Sequence, residues 1–320
     1  MLRMPPEWAP HERTLMGWPC RRRLWGDALA QAKAEYAGVA NAIAAFEPVT
    51  MVCGSPADAA EARAALSAAC EIVELPLDDS WLRDCGPIFV TGDGRRAGVH
   101  FAFNAWGEKF DPYDKDAAVG ATLVERFGDE LISVELVLEG GSIANDGAGA
   151  LLTTEQCLLH PNRNPTRTRE EIEATVLGAL GLERMVWLGN GLVEDRDTDG
   201  HVDLICVPIA PGRVLLQSAP AGDANHAAMV ENAARCAAAG IEVEAFEPLA
   251  RTNVATLSYL NLYLCNGAAI VPLAGTAEDT RALERLREVL PDRELVGVPA
   301  LTIAAGGGGP HCITQQVPRA

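Results

Sequence analysis

The sequence predicts an α/β fold of five pseudo-symmetric ββαβ-type repeats, set around a common axis like the blades of a propeller. Two observations predict it. Ala-rich stretches with apolar residues at helical spacing alternate with short β-branched or apolar runs. In addition, five polar motifs each lead into a short apolar strand and, in most cases, a Gly-containing turn. Marked by Asp84, Glu139, His201, Asn261 and Cys312, they stand 55, 62, 60 and 51 residues apart. The interval from Cys312 through the termini to Asp84 is 92. In a ring of such units the residues opening each repeat converge near the axis, which gathers scattered motifs into one candidate site. On spacing alone, an ordinary α/β sheet is the alternative.

In chain order, helices are expected over 27–46, 56–69, 115–127, 168–180, 223–239 and 277–290. Thr276 is the expected N-cap of the last, with Asp279 three residues on. Strands are expected over 49–53, 71–75, 132–138, 184–188, 241–245 and 294–298. No linker-like stretch divides the chain, so residues 1–320 read as one domain.

Composition excludes several classes. The chain has 26 Lys+Arg against 44 Asp+Glu, a formal charge of −18 that repels phosphate backbones and anionic membranes. Nucleic acid is therefore not an expected partner, whereas a small cation is. No apolar run is long enough for a membrane span. The first residues, Met1 to Trp8, lack the apolar core of a signal peptide, so a cytoplasmic location is expected. Nine cysteines, an odd number with no C-x-x-C pair, read as reduced thiols.

The chemistry-bearing motifs have bland readings as well as sharp ones. Gly306 to Gly309 precede Pro310-His311-Cys312, and glycines let backbone approach a ligand closely. Cys312 is then a candidate nucleophile, or merely a buried thiol after a turn. In Asp199-Gly-His201-Val-Asp203, a strand would put His201 and Asp203 on one face as acid/base and anionic anchor. A metal site with His311 as third ligand is a rival reading of the same residues. Asp84 would by default pair with Arg83 in its turn. Glu139 closes an apolar run, and Trp106 sits in a Gly-containing loop where it could stack on a planar cation. Asn162-Arg163-Asn164-Pro165 reads as a turn entering a helix. Asp195, Asp197 and Asp199 read as solvated loop carboxylates. Together these residues would place several carboxylates around a thiol, which raises its pKa unless the substrate brings a delocalised cation. A guanidinium offers such a charge, in a planar fork matched to carboxylates.

With these motifs assembled, the chain resembles the agmatine deiminase family of the guanidino-modifying superfamily, relatives of the bacterial-type peptidyl-arginine deiminases. The stretches that carry the resemblance begin with Pro10-His-Glu-Arg-Thr14 and Gly17-Trp-Pro19. Trp81-Leu-Arg-Asp-Cys-Gly-Pro87, Phe103-Asn-Ala-Trp-Gly107 and Glu139-Gly-Gly-Ser-Ile143 follow. Thr153-Thr-Glu-Gln-Cys157, Asn162-Arg-Asn-Pro165, Asp199-Gly-His-Val-Asp203 and His311-Cys-Ile-Thr-Gln-Gln316 complete the set. The resemblance implies the five-bladed pentein fold and hydrolysis of agmatine to N-carbamoylputrescine and ammonia. It implies Cys312 as nucleophile, His201 as proton donor and acceptor, and Glu139 as the carboxylate orienting substrate or His201. Asp84 and Asp203 match guanidinium-binding positions, Trp81 and Trp106 match pocket aromatics, and Gly309 belongs to the loop at the substrate. No metal or organic cofactor is implied, and a homo-oligomer is compatible with it. Leu204, Gly309 and Pro310 depart from the family pattern beside the reactive set, which points to substrate choice more than chemistry. Arginine, peptidyl-arginine or a longer guanidino amine are the alternatives, and a non-catalytic guanidino-binding module is the last.

Overall fold

The structure, a computed structural model, describes residues 1–320. It is an α/β fold with mixed sheets. Four sheets have one plan: an antiparallel hairpin, then a helix, then a third strand parallel to the hairpin's second strand. The first runs Ile88–Gly92, Arg95–Ala102, helix Asp114–Phe127, Glu130–Val137. The second is Ile143–Asn145, Ala150–Thr154, helix Arg169–Leu180, Arg184–Leu188. The third is Cys206–Ala210, Arg213–Gln217, helix His226–Ala238, Glu242–Phe246. The fourth is Tyr263–Cys265, Ala268–Leu273, helix Glu278–Val289, Glu294–Pro299.

A fifth sheet joins the two ends of the chain. Its hairpin partners are Thr314–Pro318 and His11–Gly17, antiparallel with Met16 opposite Thr314. Helix Leu29–Ile43 leads to Val49–Cys53, and helix Pro56–Ala65 to an added strand, Cys70–Glu74. That extra helix and strand account for the long 92-residue interval.

Each expected helix and strand is present, with ends moved by up to four residues. One expected cap is replaced. The Thr276 side chain does not start the last long helix; instead the Asp279 carboxylate reaches back to accept from the backbone N–H groups of Ala274, Gly275 and Thr276. The helix Arg169–Leu180 has a reciprocal capping box, Thr168 with Glu171.

One regularity positions the site. Asp84, Glu139, His201, Asn261 and Cys312 each lie two to five residues before the first strand of a sheet. Every unit therefore offers one polar residue at the same place in its plan.

Candidate active site

These five residues meet. His201 Nδ1 lies 3.9 Å from Asp84 Oδ1 and 4.0 Å from Asp203 Oδ1, and its Nε2 lies 3.8 Å from Glu139 Oε2. Cys312 Sγ lies 3.4 Å from Asp203 Oδ2, and the Cys312 N–H donates to Asn261 Oδ1 at 3.3 Å. All are buried.

Local structure aims each group. His201 and Asp203 are not on a strand. They flank Val202 at a 3-10 turn, Val202–Leu204, entered through the left-handed pair Asp199 and Gly200. Asp195 fixes this loop by accepting from the N–H groups of Thr198, Gly200 and His201. Asp199 takes Lys109 Nζ at 2.7 Å and Arg163 at 2.8 Å. Asp195 and Asp199 are thus loop anchors, not solvated carboxylates. Asp197 alone keeps a free carboxylate, and it faces the cavity described below.

Asp84 does not pair with Arg83. Its Oδ2 accepts from Trp106 Nε1 at 2.9 Å and its Oδ1 from the Gly141 N–H at 3.0 Å. Arg83 turns away to Gln316 Oε1 at 2.8 Å and to Glu7 at 3.5 Å. Trp106 reaches Asp84 from a strained loop, with Ala105, Trp106 and Glu108 all at positive φ.

A cavity of about 340 Å³ opens at the Cys312 thiol. Trp81, Asp84, Trp106 and Cys312 form its wall with Leu24, Phe110, Gly306 and Gly307. Asp79, Asp197 and Thr198 complete it. His201, Glu139 and Asp203 stand behind that wall. Gly309, expected at the substrate, packs against Asn261, where a Cβ would fall 2.7 Å from Oδ1, and its backbone N–H lies at the Cys312 thiol. Gly308 also lies against the thiol, since a Cβ there would sit 2.9 Å from Cys312 Sγ.

Three contributors escaped the sequence reading. Arg163, read as a turn residue, donates to Glu139 Oε1 at 2.6 Å with both side chains fully buried. Cys157 lies with Glu139 and His201 in one buried group whose ligand atoms are all within 4.8 Å of one another. A Cβ on Gly141 would lie 2.7 Å from His201 Nδ1, 2.8 Å from Asp84 Oδ1 and 2.9 Å from Asp203 Oδ2. Glycine therefore keeps the centre of the cluster open. The Glu139-Gly-Gly141 sequence was the one available signal for this. The rival metal trio is only partly assembled: His311 reaches Asp203 but pairs with Glu7 on its other side.

Electrostatics follow from burial and neighbours. Burial opposes charge on His201, yet Asp84, Cys157 and Glu139 outweigh it and push the imidazole well above its ordinary range. Burial, with Asp203 and Glu139 beside it, raises Asp84 to about 6 despite His201. Burial opposes ionisation of Glu139 too, but His201 and Arg163 hold it below its usual value. Burial and then Asp203 and Asp84 push the Cys312 thiol well up. Both ring nitrogens of His201, Glu139 Oε2 and Asp203 Oδ1 have no hydrogen bond within the protein. The two carboxylate oxygens suit a cationic, donor-rich ligand, whereas the charged His201 ring can only donate.

Comparison with known proteins decides the family. The model of the Porphyromonas-type peptidyl-arginine deiminase family matches residues 3–318. The chain belongs to this family. It is 41% identical to the agmatine deiminase of Stutzerimonas stutzeri, covering 98% of this chain and 95% of that one. The structure is similar to that of Enterococcus faecalis agmatine deiminase, with a TM-score of 0.94, 32% identity and coverage of 99% and 96%. It is also similar to a Cys-to-Ser variant of C. jejuni agmatine deiminase with substrate bound, with a TM-score of 0.91, 27% identity and the same coverage. No helix of this family member is long and apolar enough to cross a membrane.

Proposed function

We propose that the chain is an agmatine deiminase, converting agmatine and water to N-carbamoylputrescine and ammonia. As a family member it is a hydrolase of linear amidine C–N bonds. The observation that carries the substrate is the cavity wall at Cys312: it holds Asp84 and Asp197, neither paired with a lysine or arginine, beside Asp79, which pairs with Arg21 at 2.8 Å, and no lysine or arginine lines it. Such a wall suits a dication and offers an α-carboxylate no partner, which favours agmatine over arginine.

In this reading the guanidinium lies between Trp81 and Trp106, with its N–H groups on Asp84 and Asp203. Its charge stabilises the Cys312 thiolate, which the carboxylates otherwise disfavour. The sulfur bonds to the guanidinium carbon, and the C=N electron pair moves to nitrogen. His201, charged at the start, gives its proton to the departing nitrogen, and the C–N bond breaks to release ammonia. An S-alkylthiouronium remains. His201 then takes a proton from water as its oxygen bonds to the same carbon. The C–S bond breaks as the remaining hydroxyl proton passes to solvent, returning thiolate and the neutral ureido group. Glu139, held by Arg163, keeps the imidazole oriented and charged. Asp197, free at the mouth, takes the distal ammonium.

The convergence of five unit-opening residues supports five units around one axis, a five-bladed propeller forming a single catalytic domain over residues 1–320. Nine unpaired cysteines support a reducing, cytoplasmic setting.

The test is ammonia release from agmatine, arginine, a peptidyl-arginine and a longer guanidino amine, with Cys312→Ala as control. Release from agmatine that requires Cys312, with arginine inert, is expected. Release from another member alone would reassign the substrate, and release undiminished in Cys312→Ala would end the covalent route.

A further inference from the structure

Behind Cys312 runs a line of close contacts that passes through Asp203 and continues away from the cavity. Cys312 Sγ is 3.4 Å from Asp203 Oδ2, and that oxygen is 2.8 Å from His311 Nδ1. His311 Nε2 is 2.7 Å from Glu7 Oε2. Glu7 comes from the N-terminal segment and is itself pinned, its Oε1 accepting from the Leu264 N–H at 2.8 Å. The line ends in a second cavity of about 590 Å³, whose wall includes Glu7, Arg83, Asp203 and His311 but not Cys312.

Carboxylate oxygens accept hydrogen bonds and do not donate them, so a ring with one at each nitrogen carries two hydrogens and a positive charge. Burial and Arg83 oppose that charge, while Glu7 and Asp203 outweigh them and raise His311 above its ordinary range. Glu7 in turn falls to about 2, because His311 and Arg83 overcome the cost of its burial.

We propose that Glu7 and His311 form a positioning pair acting through Asp203: an imidazolium clamped between two carboxylates fixes the orientation and charge of Asp203 beside Cys312. One oxygen of Asp203 is held by His311, and the other, Oδ1, is left for the guanidinium. His311 touches neither thiol nor substrate with its ring, so it is a positioning residue and not a catalytic one. The inference rests on the proposed role of Cys312 and Asp203 in deimination.

Two variants of His311 test it. His311→Leu removes the donor to Asp203 and should lower kcat/KM on the order of 10- to 100-fold, with KM carrying much of the loss. His311→Asn places an amide N–H where Nδ1 stands and should recover most of it. Equal losses in the two would overturn the proposal. Glu7→Gln keeps the acceptor for Leu264 while removing the charge, far from the substrate cavity. The groups facing His311 are Glu7, Asp203, Arg83 and Cys312, and Glu7→Gln alters only the first. The alkaline limb of kcat/KM should then move to lower pH, and an unmoved limb would overturn the proposal. Histidine ring ¹⁵N spectra, with His311 assigned by its absence in His311→Asn, read the same charge without turnover. A doubly protonated His311 ring at neutral pH is expected, losing its proton at lower pH in Glu7→Gln. A neutral ring in the parent protein would sink the positioning pair, whereas absent ammonia release beside a charged ring would instead sink the deiminase reading.

Discussion

Arg163 Nε donates to Glu139 Oε1 at 2.6 Å, and neither side chain has any exposure to solvent. The guanidinium also bonds Asp199 and the Thr198 carbonyl, so one side chain ties the Glu139 turn to the loop bearing His201. Arg163→Met strands a buried carboxylate, and the expected cost is about 3–5 kcal/mol in urea unfolding. Glu139→Gln added to that variant should restore much of the stability and none of the turnover. Wild-type stability in Arg163→Met would show that Glu139 is not charged.

Cys312→Ser and His201→Ala should each lower turnover by at least about 10³-fold, since each removes a group the covalent route uses directly. Circular dichroism should show the fold intact in both. Ammonia release at even a tenth of the parent rate would contradict the roles assigned here.

Asp197 has no side-chain hydrogen bond, and burial together with Asp195 raises its carboxyl. Asp197→Asn should raise KM for agmatine about fivefold, on the order of 1 kcal/mol, with kcat little changed. A guanidino compound without the distal amine should not notice the substitution. Steady-state kinetics on both compounds separate the two cases.

Gly141→Ala pushes a methyl group among Asp84, His201 and Asp203, each closer than 3.0 Å to the new carbon. The expected result is loss of guanidinium binding together with some loss of stability, because the methyl group forces buried, hydrogen-bonded side chains apart. Calorimetric titration of Cys312→Ser with agmatine, with and without Gly141→Ala, measures it. Equal affinities would mean the space is not used.

The ligand-free protein should be most stable near pH 4. Burial raises Asp79 and Asp84 to about 6 and Asp116 to about 7, so the folded chain holds more protons than the unfolded one between roughly pH 4 and 7. Stability therefore falls as pH rises through that window. His201 and His311, both raised, extend the fall above it. Glu7, lowered to about 2, acts oppositely and costs stability as pH drops below its unfolded value of 4.5. Melting temperatures across pH 3 to 9 should trace this asymmetric curve, and a maximum near pH 8 would contradict it.

Residues that open each repeat were legible in the sequence because the units share one plan, which turns spacing along the chain into proximity in space. Asp84, Glu139, His201, Asn261 and Cys312 were found that way. Pairings across units were not legible. Arg163 and Glu139 lie 24 positions apart, and His311 and Glu7 lie 304 apart. No local pattern announces either one, and Asn162 to Pro165 read as a plain turn. His201 and Asp203 were assigned to a strand because alternation fits both a strand and this 3-10 turn. Gly309 was chosen from a run of four glycines, of which Gly306, Gly307 and Gly308 also face the cavity or the thiol.

The sheet shared by both ends of the chain has a consequence for biosynthesis. Ribosomes make the His11–Gly17 strand early, and it must wait while every other sheet is made before Thr314–Pro318 can pair with it. Cys312 arrives with that final strand. A nascent chain can thus fold most of its units, yet the Cys312 thiol comes to rest beside Asp203 only once the two ends have met.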